Sequence, residues 1–320
     1  MRPTDCCLSI IIPCYNAERF IKNTVTMFET QDIKDCEIII VDDGSQDDTL
    51  AIAKKLEKEY SNIFIISKKN EGVSLARNEG LKYAKGRYVI FFDSDDKIEE
   101  NTLSFYKENF RQRPKCDMYA FGYQMSCNGE IVRQYIGRKS EEFITDGKMV
   151  LEKILYGKLY FHIGGCLFNR KFLKQHRLLF PQGVVIGEDG DFIRRCLVRA
   201  KTVYYSSRIT FTYQLRSDSA TNGNTYTLKM FDSFSFTLAS VDSMKAFVSP
   251  YACNFFEAFI YVKQILGYLK SDLRERYIEL ELENYSYLLY QKMHIGNLRW
   301  TIGIILIRLI PLDLFFKFVK

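Results

Sequence analysis

The chain has 320 residues, 47% of them hydrophobic, and carries a formal charge of +6 from 45 basic and 39 acidic side chains. That length can bury a substantial core, as one large domain or two smaller ones. So mild a charge, with no basic stripe or reader motif, argues against nucleic acid as a partner. The nine cysteines form no C-x-x-C pair and no ladder of fixed spacings, which fits free and mostly buried thiols in a reducing compartment. Leu8–Ile12 is too short an apolar run for a signal peptide and leads into a polar motif instead of a cleavage site.

The first hundred residues alternate regularly. "CLSIIIP" predicts a strand. A helix follows, with Ile21, Val25 and Phe28 on one face and Asn16 as its expected N-cap. "CEIIIVDDGS" predicts the second strand. The helix after it is expected to open with the capping-box pattern Ser45-x-x-Asp48 and to carry Ile52, Leu56 and Tyr60 on one face. "NIFIIS" is the third strand, and "GVSLARNEGLKYAKG" the third helix, with Gly86 as its C′ residue. "RYVIFFDSDD" is the fourth strand, and a helix is expected over 99–108. Near-continuous apolar strands alternating with helices predict a mostly parallel sheet with helices on both faces. Ligands bind beyond the carboxyl ends of such strands, and the polar clusters Asn16, Asp42–Asp43 and Asp93–Asp95 fall at those ends.

The middle of the chain is less regular. "DMYAFGYQM" and "EIVRQYI" read as strands joined by a hairpin turn at Cys127-Asn128-Gly129. From about 226 the pattern turns helical and aromatic. The tail 298–320 is interrupted by Arg308, Pro311 and Asp313, so it lacks the ~18 clean apolar residues of a spanning helix. Its basic and aromatic residues suit either a terminal helical pair packed on the domain or a segment lying on an anionic membrane surface.

The stretch "YVIFFDSDD" runs an apolar strand into Asp93, Asp95 and Asp96. Crowded carboxylates raise one another's pKa and cost energy, and a divalent cation would offset that cost. Asp-x-Asp suits Mg²⁺ or Mn²⁺, which take oxygen ligands together with substrate phosphates. Alone, the stretch also reads as a solvated acidic turn opening the next helix. Alone, "VDDGS" is a common turn, Asn16 a cap, Arg77 a surface cation and Glu188–Asp189 an acidic helix start. Together they amount to equipment for a nucleoside diphosphate: a carboxylate for the base, an arginine for phosphate and a carboxylate pair for a cation.

"SIIIPCYNAERFI", "IIIVDDGSQDDT", "NEGVSLARNEGL" and "YVIFFDSDD", in this order, resemble the four successive motifs of inverting, non-processive family 2 glycosyltransferases of bacterial type. The resemblance covers about residues 8–96. Further on, "GEDGDFIRRCL" resembles the family's Glu-Asp motif, and "YQLR" the Tyr-x-x-Arg segment that follows it. The implied fold is α/β of the GT-A type. It would comprise a nucleotide-sugar half over 1–97, an acceptor half over 98–225 and a helical C-terminal extension over 226–320. The resemblance implies that Pro13, Tyr15, Asn16 and Glu18 line the nucleotide pocket and that Asp43, or its neighbour Asp42, accepts from the base. Arg77 would lie near the nucleotide and its phosphates. Asp93 and Ser94 would face the donor, Asp95 with Asp93 would ligate the cation, and Asp189, with Glu188 beside it, would be the general base.

The implied reaction moves one sugar from a nucleotide-sugar donor, with UDP the expected nucleotide, to a glycan or lipid-linked acceptor in surface polysaccharide biosynthesis. The implied setting is the cytoplasm or the inner face of the cytoplasmic membrane. Processive members carry Gln-x-x-Arg-Trp, whereas here Arg299-Trp300 follows Gly296, which implies single additions. A nucleotidyltransferase would want a Gly-rich N-terminal phosphate loop with basic residues, which "IIPCYNAER" is not. A decayed binding protein would not be expected to keep Asp43, Asp95 and Asp189. Neither the sugar, the acceptor nor the oligomeric state is legible in the sequence.

Overall fold

The structure, a computed structural model, describes residues 6–138, 141–184, 186–216 and 228–269. The membrane-surface expectation for 298–320 therefore lies outside the described residues. Among those described, no helix is long and apolar enough to cross a membrane. All nine cysteines are free thiols.

Four strands, β1 (Leu8–Cys14), β2 (Cys36–Asp42), β3 (Ile63–Ser67) and β4 (Tyr88–Phe91), lie parallel in the order β3-β2-β1-β4. The apolar runs of β1, β2 and β4 are buried because both faces are covered, whereas β3, at the edge of the sheet, is mostly half-buried. On one face, Ile10, Ile12, Ile38 and Ile40 share a core with α1 (Ile21–Glu29) and α2 (Thr49–Glu59), through Ile21, Val25, Phe28, Ala53 and Leu56. On the other face α3 (Val73–Tyr83) approaches so closely that a Cβ on Gly80 would stand 2.5 Å from Ile11 Cγ2 and 3.1 Å from Val41 Cγ2. The period-2 alternation of a strand sends Ile10 and Ile11 to opposite helices.

The sheet continues through the irregular half as β4-β9-β6-β10-β5, with β5 (Lys97–Ile98), β6 (Met118–Cys127), β9 (Cys166–Asn169) and β10 (Val203–Leu215). β9 is antiparallel to both β4 and β6, whereas β6 and β10 run parallel. The halves expected at 1–97 and 98–225 are thus parts of one mixed sheet. β7 (Glu130–Tyr135) pairs with β6 through the expected hairpin: Asn128 and Gly129 both have positive φ, 52° and 87°, as a two-residue turn of this kind demands. β8 (Glu142–Thr145) pairs antiparallel with β10. α4 (Thr102–Gln112) adds Leu103, Tyr106 and Phe110 to the core beneath α1 and α2. α6 (Arg170–Gln175) is capped by Asn169, whose side chain accepts from the Lys171 and Phe172 N–H groups. α7 (Glu188–Arg199) starts after Gly187, which has a φ of 93°.

Three local expectations are corrected. Asn16 does not cap α1, which begins at Ile21; Asn16 has a φ of 50° and its Oδ1 accepts from Gln46 N at 2.9 Å. Ser45 and Asp48 form no capping box. Ser45 Oγ accepts from Asn16 N at 3.0 Å, and the first N–H of α2, that of Thr49, is taken by Asp47 Oδ1 at 3.0 Å. Gly86 is not a left-handed C′ residue, because α3 ends on Ala84 as its C-cap and Gly86 is absent from the positive-φ glycines. Gly86 is required for closeness, as its N–H donates to Ser9 Oγ at 2.8 Å.

The described residues fall into two compact units, those within 1–147 and 160–216 in one and those within 148–159 and 228–269 in a second. The second holds most of α5 (Gly147–Leu155), with α8 (Leu228–Asp242) and α9 (Pro250–Leu269). Within it, Tyr156 meets Phe255 at 5.8 Å between centroids, and Lys245 bridges Asp242 and Glu257 at 2.6 and 2.8 Å.

Candidate active site

Parallel register brings the polar ends of the first strands to one edge: Cys14 pairs with Asp42, and Asp42 with Ser67. Two loops leaving this edge are stitched to each other. Asn16 N donates to Ser45 Oγ, and Gln46 N returns the bond to Asn16 Oδ1; Glu18 N donates to Asp47 Oδ2 at 3.1 Å, and Asp48 N returns to Glu18 Oε2 at 3.0 Å. The Asn16 and Glu18 side chains expected at the nucleotide therefore also fix the β1–α1 and β2–α2 loops. Pro13 is buried within β1, opposite Val41, while Tyr15 just beyond the strand is half exposed.

Asp42 and Asp43 are both buried. Asp42 accepts from Ser45 N at 3.3 Å and Ser67 Oγ at 3.1 Å. Asp43 Oδ1 accepts from Lys68 Nζ at 2.7 Å and Glu71 N at 3.1 Å, and its Oδ2 from Gly72 N at 2.8 Å. A carboxylate offers about four lone-pair positions, so Asp43 Oδ2 keeps room for one more donor, such as a base N–H. Lys68 was not singled out from the sequence; a lysine after a strand reads as an ordinary surface charge.

The centre of the site is Arg77. Its Nη1 donates to Asp189 Oδ1 at 2.6 Å and Glu188 Oε1 at 3.2 Å, and its Nη2 to Asp93 Oδ1 at 2.9 Å. Residues 111 and 112 positions apart in sequence thus meet on one guanidinium. The Arg77 side chain is only 3% exposed. Burial opposes its charge, but Asp189, Asp93 and Glu188 outweigh burial and hold it firmly protonated. The carboxylates feel the converse. Burial, then repulsion from Asp189, pushes Glu188 up to about 7 against the pull of Arg77. Burial also raises Asp189, with Arg77 opposing and Asp93 adding to the rise.

Asp93–Asp96 form a turn, with Asp96 N donating to Asp93 O at 3.2 Å. The Ser94 carbonyl is tied to α1 by Thr24 Oγ1 at 2.6 Å. Asp95 Oδ2 pairs with Arg216 Nη2 at 2.9 Å, and the Arg216 guanidinium lies 4.3 Å from the Phe20 ring centroid. Asp96 is buried, accepts from Gln214 N at 3.1 Å and leaves its Oδ2 without a hydrogen-bond partner among the described residues. Burial and the neighbouring Asp93 and Asp95 push its pKa well up. His162, in the segment before β9, packs 5.0 Å from Tyr213 and 5.2 Å from Phe211 between centroids; burial lowers its pKa. Asp96 is legible in the sequence as the third of the crowded carboxylates, whereas His162 carries no distinguishing signal there.

Among the described residues no group of three or more His, Cys, Asp or Glu could hold a metal ion by itself. The donor chemistry nonetheless fits a hard cation that arrives with phosphate oxygens, because Mg²⁺-type sites commonly use one or two carboxylates plus the substrate. Asp93 and Asp95 are such a pair, and each is also ion-paired, Asp93 to Arg77 and Asp95 to Arg216.

The sequence matches Glycosyl transferase family 2 over residues 9–177. It is 30% identical over 217 residues to the poly(ribitol-phosphate) beta-glucosyltransferase of Bacillus spizizenii, covering 66% of this chain and 32% of that protein. It is also 30% identical over 224 residues to the cholesterol galactosyltransferase of Borreliella burgdorferi, covering 64% and 59%. The chain thus spans about a third of the first of these relatives and under two thirds of the second. The fold resembles that of S. aureus TarS 1–349 in complex with UDP-GlcNAc, with a TM-score of 0.66 at 21% identity over 88% of this chain and 78% of that one. The match to the family runs over more than half the chain and takes in Asp43, Arg77, Asp93 and Asp95 but ends before Glu188 and Asp189, and the chain belongs to glycosyl transferase family 2.

Proposed function

We propose that this chain moves one sugar per encounter from a UDP-sugar to a hydroxyl of a glycan or lipid-linked acceptor in surface polysaccharide synthesis, with inversion at the anomeric carbon. The observation that carries the reading is the meeting of Asp93, Glu188 and Asp189 on Arg77 at the carboxyl edge of the sheet. Donor-side and acceptor-side carboxylates are thereby held together. The TarS complex with UDP-GlcNAc and the glucosyl- and galactosyltransferase relatives support a nucleotide-sugar donor.

Asp43 and the loop bearing Tyr15 receive the nucleoside, with Asp43 Oδ2 accepting from the base. Asp189 is the general base. As the acceptor oxygen bonds to the anomeric carbon, its proton passes to Asp189. The bond from that carbon to the diphosphate breaks on the opposite face, and the electron pair leaves with the nucleoside diphosphate. A free aspartate near 3.9 is a weak base, and the burial that raises Asp189 makes it a stronger one. Asp93 and Asp95 would hold a divalent cation, which supplies neutralisation of the charge that develops on the departing diphosphate.

Asp189→Asn tests the assignment. It keeps the side chain's size and should bind donor nearly as wild type does, while transfer falls by ~10²–10⁴-fold, the range general-base catalysis supplies. Proton NMR of the wild-type product should show the inverted anomer. Unchanged turnover in the variant, or a retained anomer, overturns the reading.

A further inference from the structure

We infer that Arg77 is a positioning residue for the general base: it fixes the inner oxygens of Asp189 and Asp93 so that their outer oxygens face the reactants, and it does not grip the donor's phosphates. The inference rests on the transferase reading and deepens it, because the family resemblance implied only that Arg77 lies near the nucleotide and its phosphates.

The geometry is specific at the level of atoms. Nη1 and Nη2 together engage Asp189 Oδ1, Glu188 Oε1 and Asp93 Oδ1. Asp189 Oδ2 and Asp93 Oδ2 have no partner among the described residues, yet neither is among the buried unpaired atoms. One oxygen of each carboxylate is therefore spent on the arginine and the other is accessible. Asp189 Oδ2 is the atom that would take the acceptor's proton, and Asp93 Oδ2 the atom on the donor side. A phosphate seeking Arg77 would have to displace charge-assisted bonds to three carboxylates from a guanidinium almost closed to solvent.

The same helix builds the support for this clamp. Phe180 lies under the guanidinium, 5.1 Å from its centre to the ring centroid. Asn78, next to Arg77, holds the Phe180 backbone from both sides: its Nδ2 donates to Phe180 O at 3.0 Å, and Phe180 N donates to its Oδ1 at 2.8 Å. Phe180 stacks on Phe192 of α7 at 4.0 Å between centroids and meets Phe91 of β4 edge-on at 4.8 Å. Phe192 sits one helical turn after Glu188, and Phe91 two residues before Asp93. The ring cluster thus ties together the two elements whose carboxylates Arg77 joins. Planar, forked donors can serve three acceptors at once; a lysine ammonium on a flexible stem cannot hold that arrangement.

The test is Arg77→Lys, which keeps a cation among the carboxylates, measured alone and combined with Asp189→Asn. Misplacing a reacting group by about 1 Å can cost ~10²-fold. The variant should therefore lose ~10–100-fold in kcat, with donor KM and UDP affinity by calorimetry within about twofold of wild type. Because Arg77 acts through Asp189, the lysine substitution should cost almost nothing further in the Asp189→Asn background. If Arg77→Lys does not fold by circular dichroism, Phe180→Leu, which keeps apolar bulk but removes the ring face, replaces it with the same expected pattern at smaller amplitude. A loss of UDP affinity at unchanged kcat, or fully multiplicative losses in the double variant, overturns the inference while leaving the transferase reading intact. A wild-type protein that transfers no sugar from any nucleotide sugar overturns both.

Discussion

Glu188 shows how one side chain carries a cost for the site it serves. Three carboxylates share the single Arg77 cation, so one of them is best left neutral. Glu188, the least exposed of the three, is the one pushed to about 7, from an ordinary 4.5. Between these two values the folded chain holds a proton that the unfolded chain has lost, so stability falls as pH rises across that window. Glu188→Gln keeps an oxygen for Arg77 and is neutral at every pH. It should match wild type near pH 4.5 and become the more stable protein by pH 8, by up to about 3 kcal/mol. Urea midpoints measured from pH 4.5 to 8 would read this, and a gap that stays constant, or a variant weaker at pH 8, contradicts it. The sequence made Glu188–Asp189 legible as a motif but not this division of labour. Which carboxylate is neutral depends on burial and on an arginine more than a hundred positions away, and neither quantity is local. Arg216, which neutralises Asp95, sits in a segment quoted for its resemblance, yet nothing in the spacing announced that pairing.

At the level of elements, strands were easier to read than helix ends. Apolar runs such as "SIIIP" and "EIIIV" can satisfy burial on both faces only as central strands, so period and length sufficed. Helix starts failed where side chains preferred distant loops: Asn16, Ser45 and Glu18 bond across two connections and not to their own helices. Gly86 failed for a related reason, since its role is set by a neighbour far away in sequence. Lys85 N and Gly86 N meet Glu37 Oε1 and Ser9 Oγ at 2.6 and 2.8 Å, and Ser9 Oγ donates to Glu37 Oε1 at 2.6 Å. A Cβ on Gly86 would lie 2.4 Å from Ser9 N and 2.7 Å from the Leu8 carbonyl carbon, both backbone atoms that cannot swing aside. Gly86→Ala should therefore destabilise by about 1–3 kcal/mol, the usual range for overpacking. Gly129→Ala is the control. Its φ is 87° and nothing lies within 4 Å of its would-be Cβ, so it carries only a backbone cost of about 1 kcal/mol. Equal denaturation midpoints for the two variants would show that the approach of Gly86 to the Leu8–Ser9 backbone is not tight.

Across the whole molecule, the mixed sheet gathers segments from residue 13 to residue 216 at one edge, the edge to which the proposed function assigns nucleotide and cation. Its two candidate metal carboxylates are already neutralised, Asp93 by Arg77 and Asp95 by Arg216. A cation alone must compete with both arginines and finds no third acidic, histidine or cysteine ligand among the described residues. UDP alone would bring its diphosphate toward Asp93 and Asp95 without a cation to separate like charges. The two should therefore bind cooperatively, each supplying what the other lacks. At 100 times its Kd a ligand specific for the folded state adds about 2.7 kcal/mol, and for a chain of this size each kcal/mol moves Tm by about 2–4 °C. Mn²⁺ alone and UDP with chelator should each move Tm by only ~1–2 °C, whereas Mn²⁺ with UDP should move it by ~5–10 °C. Asp95→Asn should abolish the combined shift while keeping the unliganded Tm within a few degrees of wild type, because the ion pair it loses with Arg216 is partly exposed, of a kind usually worth about 0.2–1 kcal/mol. If the combined shift merely equals the sum of the separate ones, or survives in Asp95→Asn, the cation does not enter through this carboxylate pair.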